Sequence, residues 1–161
     1  MESRPLAEVT VPELLGRYAA ILAELRMRGV VRTANAPLGD YAEHLAHRLY
    51  GGAIEANSKK SYDIEAADGT LVQVKARAWG PDTSPSAVFS VFRSFDFDIA
   101  TLVVFDATNY TLMWAREMAA AEVESAARWS KHVNGHLLRV SLAQRLGVDI
   151  TERFRATLSA E

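Results

Sequence analysis

Residues 61–75 have the sequence SYDIEAADGTLVQVK, with an acid on one side of an Asp-Gly pair and a Gln-x-Lys triplet on the other. Apolar and polar residues alternate through residues 71–75, which predicts a strand with one apolar and one polar face. An Asp-Gly pair between two such arms is a strong hairpin signal. We therefore predict a β-hairpin whose second strand carries Gln73 and Lys75 on its polar face.

The register of this hairpin decides whether Asp63 can reach the polar face. A two-residue turn would place Asp63 opposite Val74, on the other face of the sheet. A three-residue loop of residues 67–69, with Gly69 in the left-handed region, places Asp63 opposite Gln73 instead. We predict the three-residue loop, because glycine stands where that loop requires it.

The composition limits the class of protein. The chain has 161 residues, enough for one complete core, and we predict a single domain over residues 1–161. No apolar run approaches the roughly 20 residues of a membrane span and no apolar leader follows Met1, so we expect a cytoplasmic protein without a membrane partner. The absence of cysteine excludes disulfides, thiolate metal ligands and a cysteine nucleophile.

The net charge is close to neutral, at -2 with a pI near 6.1. Any nucleic-acid contact must therefore come from a local basic patch. The candidate nucleic-acid-binding cations are Lys59, Lys60, Arg77, Arg93 and Lys131. Taken singly, each could equally be a solvated surface cation, and Arg93 could pair with Asp96 or Asp98.

The order of elements predicts the fold class. Thr10 and Glu13 have the spacing of a capping box that opens a helix at about residues 10–29. We then expect a helix at 38–50, a short edge strand at 53–56, the hairpin, a loop at 79–86, a buried central strand at 99–105, its antiparallel neighbour at 110–115, a helix at 118–127, a strand at 136–140 and a helix at 142–146. This order indicates an α/β (α+β) fold in which helices flank a mixed β-sheet.

The polar face of the hairpin offers hard oxygen ligands. The Asp63 carboxylate, the Gln73 amide and the backbone carbonyl of Val74 are ligands of the kind that Mg²⁺ or Mn²⁺ prefers. Such a cation neutralises phosphate charge and supplies a hydroxide-like nucleophile at neutral pH. Lys75 would orient the attacking water or stabilise the developing charge. These residues predict hydrolysis of phosphodiester bonds.

The succession of Glu43 on a helix, Asp63 on one arm and Gln73-Val74-Lys75 on the other resembles the PD-(D/E)xK nuclease superfamily, or restriction-endonuclease-like fold. The Gln-x-Lys form is similar to that of Mrr-type restriction enzymes, and the resemblance covers roughly residues 38–77. It implies a catalytic set of Glu43, Asp63, Gln73 and Lys75, in which Glu43 supports the direct metal ligands or contacts the metal through a water molecule. It also implies DNA in preference to RNA as substrate, and it admits a homodimer.

The chain departs from the family pattern in two places. Glutamine replaces the usual second acid, so we expect weak metal binding without substrate. Residues 80–97 are also few for a crossover helix. Two alternatives stay open: the same fold without cleavage, as a nucleic-acid-binding or protein-interaction module, and a Glu43 that only completes a capping box with Asp40. The helix at 10–29 would be the docking face in a protein-interaction module, or else it covers the core.

Overall fold

The structure, a computed structural model, describes residues 4–32, 36–56 and 61–158 and has a mixed α+β fold. A 3₁₀ turn at Leu6–Glu8 comes first. The helices are α1 (Val11–Met27), α2 (Leu38–Tyr50), α3 (Ala120–Ala126), α4 (Val140–Ala143) and α5 (Thr151–Leu158). The strands are β1 (Ala53–Ile54), β2 (Ile64–Glu65), β3 (Leu71–Trp79), β4 (Ile99–Asp106), β5 (Leu112–Ala119), β6 (Arg128–Ser130), β7 (Gly135–Leu137) and β8 (Val148–Asp149).

Six of the strands form one mixed sheet in the order β1-β2-β3-β4-β5-β8. The β3–β4 pair is parallel and the other four pairs are antiparallel, which confirms the predicted mixed sheet. The strand predicted at 99–105 is β4, which lies between β3 and β5 and is buried along most of its length. The predicted antiparallel neighbour is β5, although it begins at Leu112 and continues to Ala119.

Each face of the sheet carries its own apolar cluster. Val72 and Val74 of β3 pack in the cluster that also holds residues of α2 and α5. Leu71 and Trp79 pack against the opposite cluster, which includes Val123 of α3 and residues of α4. The predicted alternation of β3 is therefore confirmed, and helices flank the sheet on both sides.

Helix α2 has the bounds that its apolar stripe and the following Gly51-Gly52 predict. Its last residue, Tyr50, donates a hydrogen bond to Glu117 Oε2 at 2.7 Å and shares another with Thr101 Oγ1 at 2.7 Å. These bonds attach the end of α2 to β4 and β5, because Thr101 and Glu117 lie on those strands. The helix that carries Glu43 is thus fixed against the sheet.

Helix α1 covers the core only in part. Its capping box is confirmed, since Glu13 Oε2 accepts hydrogen bonds from Thr10 N (2.9 Å) and Thr10 Oγ1 (2.7 Å). Leu22 is buried, but Tyr18 is 48% and Ile21 59% exposed. The structure therefore supports the core-covering interpretation for one side of the helix and leaves an apolar side in solvent.

Residues 80–98 connect β3 to the parallel strand β4 without forming a helix, as the shortness of the segment predicted. Their aromatic side chains fill the place of a helix, and Phe89, Phe92 and Phe97 are buried against the sheet. Backbone bridges join Val88 to Arg139 and Phe92 to His136. We call residues 80–98 the crossover segment.

The prediction was least accurate beyond β5. The helix expected at 118–127 starts only at Ala120, because β5 continues further than expected. The strand expected at 136–140 is only β7, and it pairs with β6, which was not predicted, in a separate two-stranded sheet. The helix expected at 142–146 begins earlier, as α4 at Val140.

The elements β8 and α5 were not predicted. The Asp149 carboxylate accepts hydrogen bonds from Thr151 N (2.9 Å) and Thr151 Oγ1 (2.6 Å), which starts α5. Phe154 of α5 is then fully buried. A helix of eight residues is too short to be stable alone. It depends on this packing, which the local sequence does not show.

Gly52, in the turn between α2 and β1, lies against the backbone of β2, and we predict that Gly52→Ala destabilises the protein by about 3 kcal/mol. Its φ is +76°, and an added Cβ would lie 1.9 Å from the carbonyl oxygen of Glu65. Chemical denaturation measures the change. Gly39→Ala in α2 is the control, because nothing lies within 4 Å of its Cβ position, and it should change stability by less than about 1 kcal/mol. Equal losses in the two variants would contradict the close approach.

Candidate active site

Asp63 lies where strands β2 and β3 separate. The strands pair at Ile64–Val72 and Glu65–Leu71, and Asp63 N donates to the Val72 carbonyl at 2.8 Å. The backbone N–H of Val74, on the same edge of β3, donates at 2.7 Å to the Asp63 carboxylate. A side-chain oxygen therefore takes the place of a neighbouring strand at this point.

The predicted register of the hairpin is confirmed. Ala66 N donates to the Thr70 carbonyl at 2.8 Å, which closes a loop of residues 67–69, and Gly69 has a φ of +88°. Gln73 Nε2 donates to Asp63 Oδ2 at 2.7 Å, so the two side chains meet. The amide oxygen of Gln73 is not used in this bond.

Lys75 is held by the crossover segment. Its Nζ donates to the carbonyl of Val91 at 3.0 Å and lies 5.0 Å from the ring centroid of Phe92. Burial lowers the pKa of Lys75, and the Asp63 charge opposes that change. The ammonium is thus partly desolvated and fixed in position, and it interacts electrostatically with the Asp63 carboxylate.

Glu43 enters the site from α2 and binds an arginine that sequence reasoning missed. Arg32 Nη2 donates to Glu43 Oε2 at 2.5 Å, while Arg32 Nη1 donates to the Glu55 carbonyl at 3.0 Å. The Glu43 side chain is 16% exposed and that of Arg32 44%. The capping-box interpretation of Glu43 is wrong, because α2 begins at Leu38 and Asp40, already inside the helix, accepts from Arg32 N at 3.0 Å.

The two carboxyl groups share one electrostatic environment. Burial, followed by the Asp63 charge, raises the pKa of Glu43 to about 7 against the opposing effect of Arg32. Burial also raises the pKa of Asp63, while the Val74 N–H and the Lys75 and Arg32 charges oppose that rise. Two cations therefore face two acids, of which Glu43 titrates near neutral pH.

We predict that Glu43→Gln, measured in EDTA, is more stable than the parent protein at pH 8 by about 1 kcal/mol, or about 3 °C in Tm. The pKa of Glu43 rises from 4.5 to about 7, so the folded state binds more protons than the unfolded state between these values. Protonation of Glu43 contributes its full stabilisation below pH 4.5, and this contribution is lost as the pH rises through about 7. The advantage of the variant should therefore shrink toward pH 5. An advantage that is constant with pH would contradict this assignment.

The predicted basic residues are only partly placed near this site. Arg77 is exposed and donates to the Val88 carbonyl at 3.2 Å. Arg93 donates to the carbonyls of Val133 (3.0 Å) and Asn134 (3.1 Å) rather than serving as the proposed ion-pair partner of Asp96 or Asp98. Lys131 is exposed in the same β6–β7 turn. Lys59 and Lys60 lie outside the described residues.

The donor atoms fit a magnesium ion that substrate helps to hold. Within residues 4–32, 36–56 and 61–158, no group of three or more His, Asp or Glu side chains is arranged to bind a metal. The site instead offers the two carboxylates of Glu43 and Asp63 and the amide oxygen of Gln73. Magnesium is commonly bound through one or two carboxylates together with water and substrate phosphate. The chemistry of these donor atoms is thus compatible with that type of site.

Comparison of the chain with protein-family models and with curated proteins found no match. The function must therefore be inferred from the residues and their geometry. Among the residues that the structure describes, no helix has the length and apolar character needed to cross a membrane.

Proposed function

We propose that this protein is a metal-dependent nuclease that hydrolyses phosphodiester bonds in DNA. The observation that carries the proposal is the convergence of Asp63, Gln73 and Lys75 at the separation of β2 and β3, with Glu43 reaching the same place from α2. The resemblance of these residues to the PD-(D/E)xK pattern supports the same activity. Burial of two acids beside a lysine would be costly in a purely structural role.

Each residue of the site has a role in the proposed reaction that follows from its chemistry. The Asp63 and Glu43 carboxylates would hold a Mg²⁺ or Mn²⁺ ion together with the Gln73 amide oxygen and the Val74 carbonyl, and the bound ion would supply charge neutralisation and an activated water. Lys75 stabilises the charge that develops on the phosphate, because its ammonium is already partly desolvated and fixed against Val91.

Arg32 balances the two acids in the free protein. Its guanidinium contacts Glu43 directly, and its charge opposes the rise in pKa that burial causes at both Glu43 and Asp63. Arg32 and Lys75 together offset the charge of the two carboxylates before any metal arrives. A bound phosphate would offer Arg32 another anionic partner and leave the carboxylates to the metal.

The test is cleavage of supercoiled plasmid and of single-stranded DNA with Mg²⁺ or Mn²⁺, with EDTA as the negative control. Metal-dependent cutting is the expected result. Salt-sensitive DNA binding without cutting would instead favour a non-cleaving binding module, since phosphate contacts weaken steeply as salt rises. Absence of both would overturn the assignment of a nucleic-acid substrate.

We predict that the free protein binds Mg²⁺ weakly and that Gln73→Glu tightens binding about tenfold, because metal affinity follows the charge of the ligands. The variant replaces the bond between Gln73 and Asp63 with a repulsion, so it should also lower stability in EDTA. Isothermal titration without DNA measures the affinity. Gln144→Glu, at an exposed position, is the control. Tight binding by the parent protein that persists in Asp63→Ala would contradict the predicted ligand set.

A further inference from the structure

We propose that an aromatic and basic surface beside the site binds unpaired bases of a nucleic-acid strand. This stacking surface consists of Trp129 and His136 on the β6–β7 hairpin, Phe95 of the crossover segment, and the cations Arg93 and Lys131. The proposal rests on the proposed function in one respect, namely that the bound strand is cleaved at the candidate active site. It adds the substrate class, namely a strand whose bases are free to stack.

The rings of this surface form a continuous series that begins at the site lysine. Phe92 lies under the Lys75 ammonium and stacks with Phe95, at a centroid distance of 6.1 Å and an angle of 15°. Phe95 meets His136 edge to face at 4.9 Å, and His136 meets Trp129 edge to face at 5.2 Å. A strand whose bases contact Trp129 would therefore run toward Lys75.

The outer end of the series is exposed to solvent. Trp129 is 53% exposed, whereas Phe92 is buried and His136 is intermediate. An indole left this exposed has an apolar face available to a ligand, and every nucleobase has a face that can stack on it. The exposure increases in the direction from which a strand would arrive.

The backbone makes this surface rigid. Trp129 and His136 are cross-strand partners in the β6–β7 pair. Phe92 and His136 exchange two backbone hydrogen bonds of 2.9 Å, which join the hairpin to the crossover segment. The Arg93 side chain adds hydrogen bonds to the Val133 and Asn134 carbonyls in the turn between the two strands. Because the rings are held in advance, stacking would require little ordering of the protein.

The charge of the hairpin suits a phosphate backbone. Residues 128–139 contain Arg128, Lys131 and Arg139 and no acidic residue, in a chain whose net charge is -2. All three cations are exposed. A positively charged groove with aromatic side chains on which bases can stack is the usual composition of a single-strand binding site. In duplex DNA the bases are stacked on one another, so the same rings could not reach a base without first unstacking it.

The experiment measures binding of a dye-labelled single-stranded DNA of about 12 nucleotides in EDTA, where no cleavage interferes, by fluorescence anisotropy of the dye, and quenching of tryptophan fluorescence in the parent protein reports contact with the indole. An RNA of the same sequence and the corresponding duplex DNA are the comparison ligands. We expect the single strands to bind and to quench the tryptophan fluorescence of the parent protein, and Trp129→Ala should weaken binding about tenfold or more in the anisotropy measurement. Trp129→Phe should keep most of the affinity. Tyr18→Ala removes an aromatic residue of similar exposure on α1 and should bind as the parent does.

Lys131→Gln is a second test that requires no repacking. It should make the slope of log binding constant against log salt concentration less steep, by the amount expected for the loss of about one phosphate contact. Unchanged affinity in Trp129→Ala, or equal binding of duplex and single strands, would overturn the proposal. If the parent protein cuts DNA but Trp129→Ala binds and cuts normally, the stacking surface has no role in binding, while the proposed nuclease activity is supported. If single strands quench the fluorescence of Trp129 and no DNA is cut, the stacking surface is supported and the proposed nuclease activity is contradicted. A preference between DNA and RNA identifies the type of strand.

Discussion

Asp63→Asn is expected to reduce metal-dependent cleavage by about 10³-fold while the protein stays folded. The amide can still accept the hydrogen bond from the Val74 N–H, which Asp63 Oδ2 accepts at 2.7 Å. What the substitution removes is one of the two carboxylates that can hold the metal. The rate of nicking of supercoiled plasmid measures the loss, and thermal unfolding in EDTA checks the fold.

The matched control for this substitution is Glu65→Gln, two residues further along the same arm of the hairpin. Glu65 is exposed and opposite Leu71, away from the metal ligands. It should cut at the rate of the parent protein. Normal cutting by Asp63→Asn, or equal losses in both variants, would rule out Asp63 as the metal ligand and with it the active site described above.

Lys75→Met is expected to lower the cleavage rate by about 10²-fold to 10³-fold with little change in metal affinity. The methionine keeps most of the apolar stem but has no ammonium to stabilise the developing charge on the phosphate. Stability in EDTA should fall by about 2 kcal/mol, because the Asp63 carboxylate loses a nearby opposite charge and the Val91 carbonyl loses its donor. Plasmid nicking at saturating metal, together with isothermal titration, separates the two effects.

Arg77→Met is the control for Lys75→Met, since Arg77 projects from the same face of β3 two residues later and is exposed. We expect a weaker apparent affinity for DNA in this control and an unchanged maximal rate. A Lys75→Met protein that differed from the parent only in DNA affinity would show that Lys75 binds substrate and does not act in the chemical step.

The geometry of the hairpin and of α2 was predictable from local sequence. The position of Gly69 sets the loop length, and the loop length sets the register that brings Asp63 to Gln73. The apolar stripe of α2 and the glycines after it set its bounds. In both cases residues that are close in the chain determine the conformation.

The environment of Lys75 was not predictable in the same way. Its partners, Val91 and Phe92, lie 16 and 17 residues away by sequence numbering, on a crossover segment with no regular structure. The contact between Arg32 and Glu43 likewise joins a loop to a helix. Neither contact has a periodic pattern that could reveal it.

Local sequence is enough to specify the polar face of β3, the hairpin register, the extent of α2 and the chemical types gathered in the site. These features follow from side-chain alternation, turn chemistry and helical periodicity, which act over a few residues. Three contacts are instead visible only in the folded protein: Arg32 binds Glu43, the crossover segment holds Lys75, and Trp129 continues the series of rings. The reason is physical: these contacts depend on how distant segments pack together, and burial changes the pKa of Glu43 only once that packing exists.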